Sequence, residues 1–224
     1  TPIKNHFLHL KRFSTFKKTV IEKPFLQKIS EFNEIKKIYK NKYLLVNYID
    51  VFNPLISKIE KSLKNKNFSK ITLNYSKINK YYKNKTEFAL EWLDHPLSLI
   101  LFLFKKFPKF KVQTNQLRKK NNLYNQKIVI NYFFRNFSLK INLNCSKKIE
   151  RNLQISNDRN IETYHFYKNS FLRNKKQIFR SKKSSFDIFY DHLKKTKKNS
   201  TQNFGFHKKI ILERNKILNN LKKK

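Results

Sequence analysis

Apolar and polar positions alternate most regularly over residues 126–145, QKIVINYFFRNFSLKINLNC. Read as two strands joined across Arg135-Asn136, they put Ile128, Ile130, Tyr132, Phe134, Phe137, Leu139, Ile141 and Leu143 on one face, because strand side chains point alternately up and down. Lys127, Asn131, Ser138, Lys140, Asn142 and Asn144 take the other face, with Val129 and Phe133 among them. The predicted partners are Phe134 and Phe137, Tyr132 and Leu139, Ile130 and Ile141, and Ile128 and Leu143. A two-residue hairpin favours φ > 0 at its centre, which Asn136 tolerates better than Arg135.

Other segments read less sharply. Ser30 is placed as the N-cap of a helix carrying Phe32, Ile35, Ile38 and Tyr39 at helical spacing, with Glu31 and Glu34 at its positive end. YLLVNYIDVF, residues 43–52, is apolar on both faces and reads as a buried strand. Asn53-Pro54 then suits a helix start, and Leu55, Ile56, Ile59 and Leu63 share a side. KITLNYSKI, residues 70–78, alternates as a half-buried strand should. A helix is expected near residues 86–94, and Asp94 is read as the cap of a second helix carrying the apolar 97–107 segment up to Pro108. After Glu150 the pattern weakens, returning as helix-like SSFDIFYDHLKK and a terminal helix with Ile210, Ile211, Ile217, Leu218 and Leu221 on one face. The expected fold class is α+β: a small mixed α/β core with an antiparallel hairpin at about 126–145 and long basic N- and C-terminal extensions. The division is a basic extension over 1–30, a core over 31–150 and a partly helical basic extension over 151–224.

Charge changes the picture. The 224 residues hold 52 Lys and Arg against 14 Asp and Glu, a formal net charge of +38. Such a chain repels itself and calls for a polyanionic partner, with nucleic acid favoured over a membrane because the cations run along the whole sequence. The longest apolar run, LSLILFLF, is far short of the ~20 residues that span a bilayer, so no membrane span is expected. Residues 1–30, with no acid before Glu22, read as an RNA-threading arm in preference to an organelle transit peptide. Cys145 is the only cysteine, which excludes a disulfide framework and a cysteine zinc site.

Basic residues interleave with aromatics over 13–18, 104–111 and 164–183, a pairing suited to phosphates and unpaired bases. The candidate RNA-binding residues are Lys105, Lys106, Lys109, Lys111, Arg118, Lys119, Lys120, Arg135, Lys140, Lys147, Lys148, Arg173, Lys175, Lys176, Arg180, Lys182, Lys183, Lys194 and Lys195. The bland alternative for any one cluster is a solvated basic face. Glu162 and His165, three apart, would share a helical face and offer two metal ligands, but basic surroundings disfavour a cation. Asp187, Asp191 and His192 resemble a Mg²⁺ pair of a nuclease and are better read as relief of charge repulsion in a lysine-rich helix. Glu91, Asp94 and His95 form a possible acid–base group, set aside because Asp94 serves as a cap. No catalytic or metal residue is assigned. With one glycine, Gly205, neither a P-loop nor a dinucleotide-binding turn can be written, so no cofactor and no small-molecule substrate are expected.

Residue usage points to origin. Against a usual glycine share of ~7%, the chain has one glycine and a single alanine, Ala89, and it is rich in Lys, Asn, Ile, Phe and Tyr, whose codons are AT-rich; its lack of methionine does not follow from that bias. In stretches such as SLKNKNFSKITLNYSKINKYYKNK it resembles ribosomal proteins encoded in the mitochondrial genomes of protists and fungi. The resemblance is compositional, covers the whole chain and rests on no family motif. It implies a non-enzymatic structural constituent of the mitochondrial ribosome in the mitochondrial matrix, active in translation, with rRNA and neighbouring ribosomal proteins as partners. The alternative is an organelle intron-encoded maturase or homing endonuclease, and a third reading is a respiratory-complex subunit, weakened by the charge.

Overall fold

A computed structural model describes residues 5–65, 68–78, 81–120, 123–146, 148–195 and 204–223. The chain opens with helix α1 (His6–Arg12), strand β1 (Lys18–Glu22), helix α2 (Ile29–Ile38) and strand β2 (Tyr43–Asn47). β1 and β2 pair in parallel, Lys18 opposite Tyr43 and Glu22 opposite Asn47, and α2 supplies the crossover that a parallel pair needs. The start of α2 lies one residue before the expected Ser30 cap. Its first turn is closed by Glu31, whose carboxylate accepts from the backbone N–H of Gln27 and Lys28, each at 3.2 Å. The buried run 43–52 divides into β2, every residue of it buried, and a 3₁₀ turn over Ile49–Phe52.

Helix α3 (Ile56–Lys64), strand β3 (Lys70–Ile78), helices α4 (Lys85–Trp92) and α5 (Asp94–Phe104), and strands β4 (Phe110–Lys120), β5 (Leu123–Phe133), β6 (Ser138–Ser146) and β7 (Glu150–Ser156) follow. Then come β8 (Ile161–His165), β9 (Ser170–Arg173), β10 (Lys176–Arg180), α6 (Ser185–Lys195) and α7 (Phe204–Lys222). Eight strands form one mixed sheet in the order β10-β9-β8-β7-β3-β6-β5-β4, in which β3 and β6 are the parallel pair. β5 and β6 pair in the register expected from their alternation, with Ile128 opposite Leu143, Ile130 opposite Ile141 and Tyr132 opposite Leu139. Phe134 N–H donates to the Phe137 carbonyl at 3.1 Å, and the turn closes with neither Arg135 nor Asn136 at positive φ. Where left-handed residues are needed, the chain uses Asn and Lys in place of glycine: Asn174 (φ 48°) and Lys175 (φ 69°) make the β9–β10 turn, and Lys105 (φ 62°) ends α5.

One face of the large sheet buries Ile71, Leu73, Tyr75, Ile128, Ile130, Tyr132, Leu139, Ile141 and Leu143 under α3, α4, α5 and α7. The other face is polar, and across its centre Asn142 donates to Asn74 at 2.7 Å and Asn74 to Asn152 at 2.9 Å. The expected small core with long basic extensions is therefore corrected. Leu10, Phe25, Leu26, Tyr164, Phe171, Ile210, Ile217 and Leu221 belong to the same buried cluster as the hairpin. Burial of an apolar side chain is favourable by about 25 cal/mol per Å², so these residues draw both ends of the chain into the core despite the charge around them.

Candidate active site

The carboxyl ends of β1 and β2 open on one side, and five ionisable side chains line the cavity there. β1 ends in Glu22, and Lys23 follows it. The 3₁₀ turn after β2 delivers Asp50, the first turn of α5 delivers His95, and β7 delivers Arg151. They line a cavity of about 390 Å³, walled further by Asn47, Phe166, Tyr167, Asn169, Ser185 and Phe186.

Asp50 is buried and has no spare oxygen. Oδ2 accepts from His95 Nδ1 at 3.0 Å and from the Tyr75 hydroxyl at 3.1 Å, and Oδ1 accepts from Arg151 Nη1 at 3.2 Å. Burial alone would raise its pKa, but His95, Arg151 and Tyr75 outweigh it, and the carboxyl is held below its usual range. An ionised carboxylate only accepts, so His95 carries its proton on Nδ1, and Nε2 faces Arg151 Nη2 at 3.4 Å with a lone pair. Burial, followed by the ammonium of Lys23, keeps His95 below the usual imidazole range despite Asp50. At neutral pH it is an uncharged acceptor, clamped between Tyr75 (ring centroids 5.8 Å apart) and Trp92 (5.7 Å).

Lys23 has its Nζ 3.3 Å from the Glu91 carbonyl, to which it donates, and 5.9 Å from the centre of the Trp92 ring. Desolvation lowers its pKa; Asp94, Asp50 and Glu91 pull upward, Arg151 pulls down, and the net shift is downward. A lysine destabilised as a cation exchanges its proton nearer neutral pH than a free one. His6 Nδ1 donates to the Pro24 carbonyl at 2.7 Å and fixes the backbone beyond Lys23. Asn53 ties the outer wall together, donating to Ser185 Oγ at 2.9 Å and to the Phe166 carbonyl at 3.2 Å. Among the described residues, Arg151 Nε and Asn47 Oδ1 are buried without a hydrogen-bond partner. One donor and one acceptor beside the cavity are thus left unused by the fold.

This cluster lies apart from the residues expected to bind. Lys105, Lys106, Lys109, Lys111 and Arg135 lie at the ends of α5, β4 and the hairpin, all exposed, with Lys140 half-buried on β6 and Lys148 exposed just before β7. Arg173, Lys175, Lys176, Arg180, Lys182, Lys183, Lys194 and Lys195 are exposed along β9, β10 and α6. β4 and β10 are opposite edges of the sheet, about 34 Å apart at the usual strand spacing, so these groups form no single surface. Arg118, Lys119 and Lys120 lie in β4 with side chains outside the described set, and Lys147 lies outside the described residues.

Other expectations change too. Glu162 and His165 stand on β8, where an odd separation sends them to opposite faces, and Arg173 Nη2 holds Glu162 at 2.9 Å. Among the described residues no group of three His, Cys, Asp or Glu is placed to hold a metal. Asp187 accepts from Ser184 N–H at 2.7 Å at the start of α6, and Asp191 lies 3.3 Å from Lys183. Asp94 is no cap: it is fully buried and takes both its hydrogen bonds, at 2.8 and 2.9 Å, from one nitrogen of a fully buried Arg214. The reason for setting His95 aside therefore fails. Asp50 itself was legible, as a lone acid inside a ten-residue apolar run, since a buried charge needs partners.

Neither a family model nor a curated protein sequence matches the chain. Solved structures do. A UDP-N-acetylglucosamine 3-dehydrogenase from Acidithiobacillus ferrooxidans is matched with a TM-score of 0.73 at 12% identity, over 99% of this chain and 76% of that one. A biliverdin reductase from Synechocystis, in complex with biliverdin and NADP+, gives 0.70 at 12% identity over 99% and 77%. A Gfo/Idh/MocA family oxidoreductase from Vibrio cholerae gives 0.69 at 12% identity over 99% and 78%. The fold is the one these oxidoreductases share.

That finding overturns the compositional resemblance. An oxidoreductase fold spanning nearly the whole chain corrects the reading as a non-enzymatic constituent of the mitochondrial ribosome, the maturase or homing endonuclease alternative, and rRNA and ribosomal proteins as partners. The physical reason is that residue usage and net charge describe the solvated surface and the genome's base bias, whereas the apolar positions specify the fold. Among the described residues no helix is long and apolar enough to cross a membrane.

Proposed function

We propose that this chain works as an oxidoreductase on a small-molecule substrate held in the cavity of Lys23, Asp50, His95 and Arg151. One observation carries the reading: a lysine whose charged form is disfavoured stands beside a neutral imidazole and a guanidinium with a free buried nitrogen, at the carboxyl ends of parallel strands. In this reading Lys23 takes the proton from a substrate hydroxyl, or returns it to a carbonyl oxygen. Arg151 donates to that oxygen, His95 Nε2 accepts from Arg151 and holds the guanidinium in place, Asp50 fixes the tautomer of His95, and Tyr167 and Phe186 wall the cavity. The names of the neighbours, a sugar-nucleotide dehydrogenase and a reductase holding NADP+, support the same class.

A nicotinamide dinucleotide is the redox partner that such names imply. The 224 residues contain one glycine, in α7, and hence no glycine turn that would let backbone approach a pyrophosphate. These residues do not fit that part of the dinucleotide, and only the proton half of the reaction is assigned to them. We further propose the mitochondrial matrix as the location, on residue usage alone, which organelle fractionation with mass spectrometry checks.

The test is calorimetry of the full chain against a panel of small hydroxy and keto compounds, in two buffers of different ionisation enthalpy. A binder is expected whose proton release depends on Lys23 and vanishes in Lys23→Met, and whose affinity falls about tenfold or more in Arg151→Met. Absence of any binder, or equal binding by both variants and the parent, overturns the reading.

A further inference from the structure

A second cleft lies at the far end of the helix that carries His95. α5 presents His95 in its first turn and ends at Leu103 and Phe104, nine residues on, or about 14 Å away. There, with Leu63 and Lys64 of α3, Phe68, Lys106 and the tip of the β5–β6 hairpin, it encloses about 530 Å³. Phe134 and Phe137, the last cross-strand pair, stack with centroids 4.4 Å apart and planes 11° apart. Phe104 lies 5.0 Å from Phe134, and Phe68 lies 5.0 Å from Phe137. These rings are only partly buried. A hollow of this size lined by four phenyl rings and two leucines lies within the ~300–1,000 Å³ range of ligand pockets, and its polar groups are confined to the rim.

The rim decides what fits. Lys64, Lys106 and Arg135 stand around it, against Glu60 alone. None of the three cations enters an ion pair among the described residues. An apolar floor excludes a hydrophilic anion, which would be stripped of water without replacement contacts, while unpaired cations at the mouth favour a negative head. We propose that this cleft binds an amphipathic carboxylate, its hydrocarbon chain or ring against Phe104, Phe134 and Phe137 and its carboxylate between Lys106 and Arg135. The site is separate from the cavity of Lys23 and does not depend on the function assigned there.

Dodecanoate, titrated calorimetrically into the full chain at physiological salt, is the ligand to use. Saturable binding at one site is expected, with affinity about tenfold lower in Lys106→Glu/Arg135→Glu and about tenfold lower for uncharged 1-dodecanol. Lys175→Glu/Lys176→Glu, which removes the same charge at the other edge of the sheet, should leave it within about twofold. An added Leu103→Trp variant, excited selectively against its parent, should report the same titration by a change in emission. Equal loss in the two charge variants would mean bulk attraction only, and no saturation would mean no site. A dimer in sedimentation velocity that dodecanoate fails to disperse would mean the cleft meets a second copy. Each of these overturns the proposal.

Discussion

His95 Nδ1 lies 3.0 Å from Asp50 Oδ2, and the same carboxylate holds Arg151 Nη1 at 3.2 Å through its other oxygen. One buried anion thus sets the tautomer of the imidazole and anchors the guanidinium that faces the cavity. Asp50→Asn keeps the shape and removes the charge. The partly buried Arg151 then loses its anion and His95 its acceptor, and unfolding free energy should drop by about 3 kcal/mol, read from the urea midpoint. A drop below about 0.5 kcal/mol would mean the cluster is solvated.

Acid should destabilise the protein through a histidine that is not among the cavity's lining residues. His207 on α7 is buried among Phe25, Tyr48, Phe204 and Phe206, and desolvation holds its pKa down to about 3, from 6.5 unfolded. The unfolded chain therefore binds a proton in that window and the folded chain does not. The contribution is complete above 6.5 and is lost as pH falls toward 3. Between pH 7 and 5 the loss is about 2 kcal/mol. His207→Phe should make denaturation midpoints shallower with pH over that interval by this amount.

Arg214 and Asp94 are wholly buried, and Arg214 also donates to the Leu26 carbonyl, linking α7, α5 and the segment after Lys23. Arg214→Met strands a buried carboxylate and should cost about 4 kcal/mol. Adding Asp94→Asn should recover at least half of that, because the stranded charge is gone. Equilibrium unfolding of both single variants and the double variant checks the coupling.

The hairpin register makes its own prediction. Ile130 is fully buried and Phe133 about half exposed, though both are apolar residues of β5. Ile130→Ala should cost about 3 kcal/mol and Phe133→Ala under about 1, measured by the same unfolding experiment.

That pair marks how far sequence reasoning reaches. Where one face is apolar and the other polar, as over 126–145, alternation names the partners, because a one-residue slip would invert every side chain. β2 was legible as an unbroken buried run, and α3 from Asn53-Pro54. β7 to β9 were not: each buries few residues, Leu153 and Ile155, then Tyr164, then Phe171, amid Lys, Arg and Asn that read as a solvated tail. β1 was hidden in the same way inside a basic arm, and with it Lys23. The site was missed because its members come from β1, the turn after β2, α5 and β7, which only the tertiary fold brings together. Asp94 was misread because an acid at a helix start is usually a cap, and its buried partner lies 120 residues away.

The most direct test of the account is the proton released when a small hydroxy or keto compound binds the purified full chain, measured by calorimetry in buffers of different ionisation enthalpy for wild type and Lys23→Met. The account predicts release on binding by the wild type that vanishes in Lys23→Met while circular dichroism shows the fold intact. No binding by the wild type, or equal release by the variant, would contradict it.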